Sequence, residues 1–344
     1  MAYSNIDKPT DYFNTVTYTG NDSTNAITGV GHQPDLTWIK RRNSAEGHIW
    51  IDSVRGVDKR LGSNVTSAES TVTYFTSFDT DGFTVNGTNV ATNASGGTFC
   101  AWNWLADNTS GSSNTDGSIT STVSANTTSG FSVCSFTEAA SAPYSFGHGL
   151  GVEPNVVIFK TRGATGNWQV YHSALSSPNS SLLQLNSTAA VNTASTWWGT
   201  INSSIVTINA GLITPNTTSI AYCFAEKKGF SKFGTYSGNS SNDGTFVYTG
   251  FKPAMVIVKC SNAVENWVMW DNKRSPFNVV NDRLFPNLTN AESTSPDICD
   301  LVSNGFKFRF GPEGSWNSSG RNYIYMAFAE SPLVGSNFVP TNAR

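Results

Sequence analysis

Short runs rich in Val, Ile, Phe, Tyr and Trp punctuate the 344-residue chain, among them GFSVCSF, VVIFK, NWVMW, GFKFRF and YIYMAFA, each bounded by Gly, Asn, Ser or Pro. This pattern predicts β-strands. Nowhere does an apolar period of 3.6 residues persist beyond about two turns, so no substantial helix is expected. Asp81-Gly82 before FTV and Asn304-Gly305 before FKF each put a residue tolerant of positive φ between extended segments, the mark of a hairpin. The fold class is all-β.

Three of the runs share a frame. GHQPDLTWIK, GVEPNVVIFK and GFKPAMVIVK place Pro34, Pro154 and Pro253 six residues before Lys40, Lys160 and Lys259. Fourteen residues after each proline come His48, Trp168 and Trp267; eighteen after come Asp52, His172 and Asp271. A closing run ends in Trp104, Phe224 and Phe328, and an opening aromatic stands at Phe13, Phe131 and Phe230. Units of roughly 90 to 100 residues can hold their own core, unlike the shorter repeats of solenoids. The frame predicts three tandem related β-sandwich-like modules, at 13–105, 131–226 and 227–330.

Within each proline-led run apolar residues follow one another without alternation, as in Val156 to Phe159 and Met255 to Val258. A strand with one wet face alternates, so these strands are expected to be covered on both sides, by a loop, a neighbouring module or another subunit. Residues 106–130 are dominated by Ser, Thr, Asn and Gly and predict a tether. Residues 1–12 and 331–344 read as extended arms.

Only 13% of residues are charged and the net charge is −3, which leaves no basic footprint for nucleic acid. No apolar stretch reaches the ~18 residues of a membrane span, and the start lacks the basic and apolar regions of a signal peptide. Five cysteines without C-x-x-C spacing predict free buried thiols, as in a protein made in a reducing cytoplasm, and neither a disulfide framework nor a metal centre. Asn-x-Ser/Thr triplets, at Asn64, Asn186 and Asn317 for instance, follow from composition alone.

No catalytic constellation emerges. His48 stands where the other units have Trp, and His172 where they have Asp, so both are expected to fill space or face water. The carboxylates, Glu138, Glu226 and Glu330 among them, have no spacing that enforces the pair a glycosidase needs. Asp79-Thr-Asp81-Gly offers alternate oxygen ligands for calcium, but the same letters make a plain hairpin turn, the preferred reading. The scaffold positions are Pro34, Pro154, Pro253, Lys40, Lys160, Lys259, Trp168 and Trp267, the lysines snorkelling off buried strands. Trp197-Trp198 and Trp316 belong to single units and stand beside Ser, Thr or Asn. They are the candidates for ligand stacking, with burial in their own module the equal alternative. No cofactor is implied.

These units, with KPTDYFNTVTYTGN from Lys8, DSVRG from Asp52, NTDGSITSTVSAN from Asn114, YCFAE from Tyr222 and YIYMAFAE from Tyr323, resemble a family of virion structural proteins of tailed bacteriophages common in marine and cyanobacterial phage genomes. The resemblance implies a multicopy component of the particle, assembled in the host cytoplasm, and brings no catalytic residues with it. The expected function is a non-enzymatic tail fibre or adhesin; a capsid decoration protein is the alternative and a tail-associated polysaccharide depolymerase the lesser one. Expected partners are other virion proteins, copies of the chain itself, with the trimer the usual form of a fibre, and a host surface glycan or envelope protein.

Overall fold

The proline-led runs form the third of four strands that three antiparallel sheets share in one order, the second sheet carrying further strands at its edges. A computed structural model describes residues 4–209, 215–311 and 313–337. The first sheet runs Phe13–Thr19, Thr98–Trp104, Leu36–Arg41, Ile49–Asp52; the second Phe131–Thr137, Thr218–Phe224, Val156–Thr161, Gln169–His172; the third Ser231–Ser237, Asn322–Pro332, Phe251–Cys260, Trp267–Asp271. Registers match as well: Leu36, Val156 and Met255 lie opposite both Trp104, Phe224 and Phe328 and Asp52, His172 and Asp271. The third opening residue differs from expectation, because Ser231, not Phe230, pairs with Phe328.

A second antiparallel sheet backs each of these inner sheets, three-stranded in the first two units and four-stranded in the third. The outer sheets are built on Gly82–Val85, Ile205–Ile208 and Gly305–Phe308. Asp81 lies in the turn between Asp79 and Gly82, which pair with each other, and its carboxylate ties that hairpin to a neighbouring loop by accepting the backbone N–H groups of Gly29 (3.0 Å) and Gly31 (2.6 Å).

The strands buried on both faces divide their side chains between two cores. Val157 and Phe159 point into the second unit's own sandwich, while Val156 and Ile158 join a core fed by all three inner sheets. Met255 and Ile257 alternate with Val256 and Val258 in the third unit, and Leu36 and Trp38 with Ile39 in the first. The cover foreseen for these strands therefore comes from the neighbouring units of the same chain. At its heart the closing aromatics meet: Trp104, Phe224 and Phe328 have ring centroids 6.2, 5.8 and 5.5 Å apart pairwise. Three self-sufficient beads would have left these faces wet. Burying them together ties the units into one body.

Two further segments depart from expectation. Residues 106–130 are not a free tether: Ser112–Asn114 and Ser121–Asn126 extend the second inner sheet beside Phe131–Thr137. Backbone ladder bonds need no apolar side chains, and from these two strands Val123 enters a core with Ala125 packed against it. The head is docked as well, with Ile6 in the shared core and the Asp7 carboxylate accepting the Ser336 N–H at 2.6 Å. Of the expected arms, residues 1–3 and 338–344 lie outside the described residues.

Candidate functional site

The polar residues in the frame work at the seams between units. Lys40, Lys160 and Lys259 are fully buried, and each ammonium donates to the carbonyl of a neighbouring unit: Lys40 to Thr289 (3.2 Å), Lys160 to Thr66 (3.0 Å), Lys259 to Thr188 (3.3 Å). The ring closes, first unit to third, second to first, third to second. Burial draws each ammonium down to about 8. These lysines do not reach water as snorkelling would have them do, because their heads end on carbonyls inside the seam.

The ring slot fourteen residues past each proline does the same work with an aromatic N–H. Trp168 Nε1 donates to Gly62 O at 2.8 Å and Trp267 Nε1 to Gln184 O at 2.9 Å. His48 takes the third place: Trp38 Nε1 donates to its Nδ1 at 2.7 Å, which leaves Nε2 to donate to Phe285 O at 3.0 Å. His48 is wholly buried, filling space rather than facing water, and burial pushes it down to about 3.

Asn64 and Asn186, read as compositional triplets, and Asn287 share one role: each side-chain carbonyl accepts the backbone N–H of His48, Trp168 or Trp267 at 2.8–3.0 Å. The threonines two residues on are those whose carbonyls receive the lysines. A Leu-x-x-Asn-x-Thr spacing at Leu61, Leu183 and Leu284 was the legible signal.

Buried charge completes two of the three seams. Asp52 pairs with Arg55, which reaches Glu69 at 3.1 Å; Glu69 in turn accepts two bonds from Arg162 of the second unit, at 2.8 and 2.9 Å. Tyr222 of the second unit donates to Asp52 at 2.7 Å. Asp271 pairs with Arg274 at 2.6 Å, Arg274 with Glu292 at 3.0 Å, and Glu292 with Arg42 of the first unit at 2.7 Å, while Trp102 of the first unit donates to Asp271 at 3.1 Å. Charges so deep in protein persist only when paired or hydrogen-bonded, and here each guanidinium also donates to backbone carbonyls, Arg55 to Trp50 and Lys59, Arg274 to Met269 and Asp282. The recurrence of Asp-x-x-Arg at Asp52 and Asp271 marks them in sequence.

The three candidate tryptophans are not at the surface. Trp197 and Trp198 pack into the second sandwich against Phe159 and Tyr171, and Trp316 lies beneath Arg283 against Trp270. Indoles are the largest apolar groups the small outer cores can recruit, so these rings fill them. What is exposed is different: Phe246 and Tyr248 stand outward on a sheet edge, and Phe277 is 82% exposed beside a cleft of about 370 Å³ lined by Lys252, Asn272, Ser275 and Glu330. Register places Ala26 and Ser145 where Phe246 stands. The described residues contain no group of three or more His, Cys, Asp or Glu able to hold a metal ion. All five cysteines are buried and unpaired.

Residues 8–332 match the model of a family described as a domain of unknown function, DUF7483. The chain belongs to that family. The match takes in all three inner sheets and every seam contact above. No curated protein and no solved structure matches the chain. No helix of the described residues is long and apolar enough to cross a membrane.

Proposed function

We propose that this protein is a non-enzymatic structural component of a tailed-phage virion, acting as a tail-fibre-like adhesin that meets the host surface through its third unit. One segment copied twice over would account for the common strand order, with shared residues serving the ring and unshared ones serving recognition. The observation that carries the reading is the placement of exposed aromatics: Phe246, Tyr248, Phe277 and Phe310 all belong to the third unit. Exposed aromatic rings cost hydration free energy unless a partner covers them. The buried lysines of the frame, His48, His172 and the chains of Asp52 and Asp271 are spent on seams.

The test is binding of the purified protein to host envelope material, with Phe246→Ala/Tyr248→Ala and Phe277→Ala beside wild type. Binding that falls with either variant supports the reading. Absence of binding by wild type, together with antibody labelling confined to the phage head, would replace the adhesin by a capsid decoration protein.

A further inference from the structure

One seam lacks the charged chain that the other two possess. The correspondence is fixed by backbone bonds: Glu69 N–H donates to Arg162 O at 2.8 Å, Glu292 to Arg42 O at 2.7 Å, and Val191 to Ser261 O at 2.8 Å. His172 takes the register of Asp52 and Asp271, and Leu175 follows it by three residues as Arg55 and Arg274 follow theirs. At the seam of the second and third units, therefore, His172, Leu175, Val191 and Ser261 stand for Asp, Arg, Glu and Arg.

Shorter side chains leave space. A groove of about 540 Å³ opens there, with Leu175, Val191 and Ser261 in its wall. Thr193 from the second unit and Thr235 and Asn322 from the third line it too, all three exposed, and none of its lining residues is charged. Its size falls within the range of about 300–1,000 Å³ usual for small-ligand sites.

We propose that this groove binds a neutral polyhydroxylated ligand, a short segment of an uncharged surface polysaccharide. An anionic or cationic ligand would enter without a counter-charge, and a purely apolar one would strip water from hydroxyl and amide groups and give nothing back. A neutral sugar meets both demands, its hydroxyls exchanging hydrogen bonds with the Thr and Asn side chains and its C–H faces lying on Leu175 and Val191. The inference deepens the adhesin reading and rests on it for the source of the ligand.

Saturation-transfer NMR and titration calorimetry on the full chain would use neutral trisaccharides of glucose, galactose, mannose and rhamnose, with trigalacturonate as the charged control. The groove reading expects at least one neutral trisaccharide to bind and trigalacturonate not to. Val191→Glu/Ser261→Arg, which rebuilds the Glu–Arg pair of the other seams, should lower that affinity at least about tenfold; Thr193→Ala/Thr235→Ala, two surface changes, should do so with an unchanged melting temperature. Binding of no neutral trisaccharide, equal binding of trigalacturonate, or full affinity in both variants would overturn the groove. Trisaccharide binding by a wild type that ignores host envelope would instead keep the groove and remove the adhesin.

Discussion

Arg42 and Glu292, 250 residues apart in the chain, face each other across a seam with the guanidinium Nε 3.0 Å from both carboxylate oxygens. Glu292 also accepts from the fully buried Arg274, so one carboxylate serves two cations from two units. Glu292→Ala is expected to cost about 3 kcal/mol, because Arg274 stays buried with half its charge partners gone. Arg42→Ala should cost less, since that side chain is partly solvated, and the double variant should show coupling of roughly 1–2 kcal/mol. Urea unfolding of the four proteins closes the cycle. Additive losses would mean that the two residues act independently.

Acid should weaken the ring before it protonates ordinary carboxylates. His172 is held down at about 4 and His48 at about 3 by burial, and His32 and His148 are lowered by the same cause. Below about 6.5 the unfolded chain takes up protons that these folded histidines refuse, so stability falls as pH drops, by up to about 3 kcal/mol for His172 alone. Asp35, raised to about 6, and Glu138, also raised, oppose the trend, yet four histidines outnumber them. The measurement is the urea midpoint from pH 7 to 4.5. His172→Gln should flatten the slope, and an unchanged slope would contradict the assignment.

Substitution of the tryptophans and of the surface phenylalanines should separate stability from recognition. Trp198→Ala and Trp316→Ala empty sites that are 2% and 1% exposed, and each is expected to cost about 3–5 kcal/mol. Phe246→Ala and Phe277→Ala should stay within about 0.5 kcal/mol of wild type while lowering binding to envelope material. Thermal melts beside the binding assay give both quantities.

An excised unit should not behave as a free domain. Residues 131–226 alone would expose Val133, Ile158, Trp168 and Tyr222, all buried in the core shared with the other two units. The expected outcome in size-exclusion chromatography and NMR is aggregation or loss of dispersed spectra. A monomeric, well-dispersed fragment would show that each sandwich suffices by itself.

Much of this was legible beforehand, and the gaps have physical reasons. The strand runs, the hairpin at Asp81-Gly82 and the equal offsets of Pro34, Pro154 and Pro253 are local signals, visible because period and turn chemistry act over a few residues. The double burial of Val156 to Phe159 was legible too, though not what covers it. Residues 112–126 misled because composition reports side-chain burial and is blind to backbone pairing. Trp197, Trp198 and Trp316 misled because a neighbourhood of Ser and Asn in sequence says nothing about which way a ring turns.

By itself the sequence determined an all-β chain, its strand positions and the set of residues held at common offsets, since hydrophobic period and glycine and proline geometry are properties of short segments. Only the tertiary structure decided that Lys40 ends on Thr289, that Glu292 answers Arg42, and that the seam with Val191 and Ser261 stays open. Those are pairings across 70 to 250 residues, selected by the need to satisfy charge and donors inside a common core, and no local pattern records which of the two neighbouring units will supply the partner.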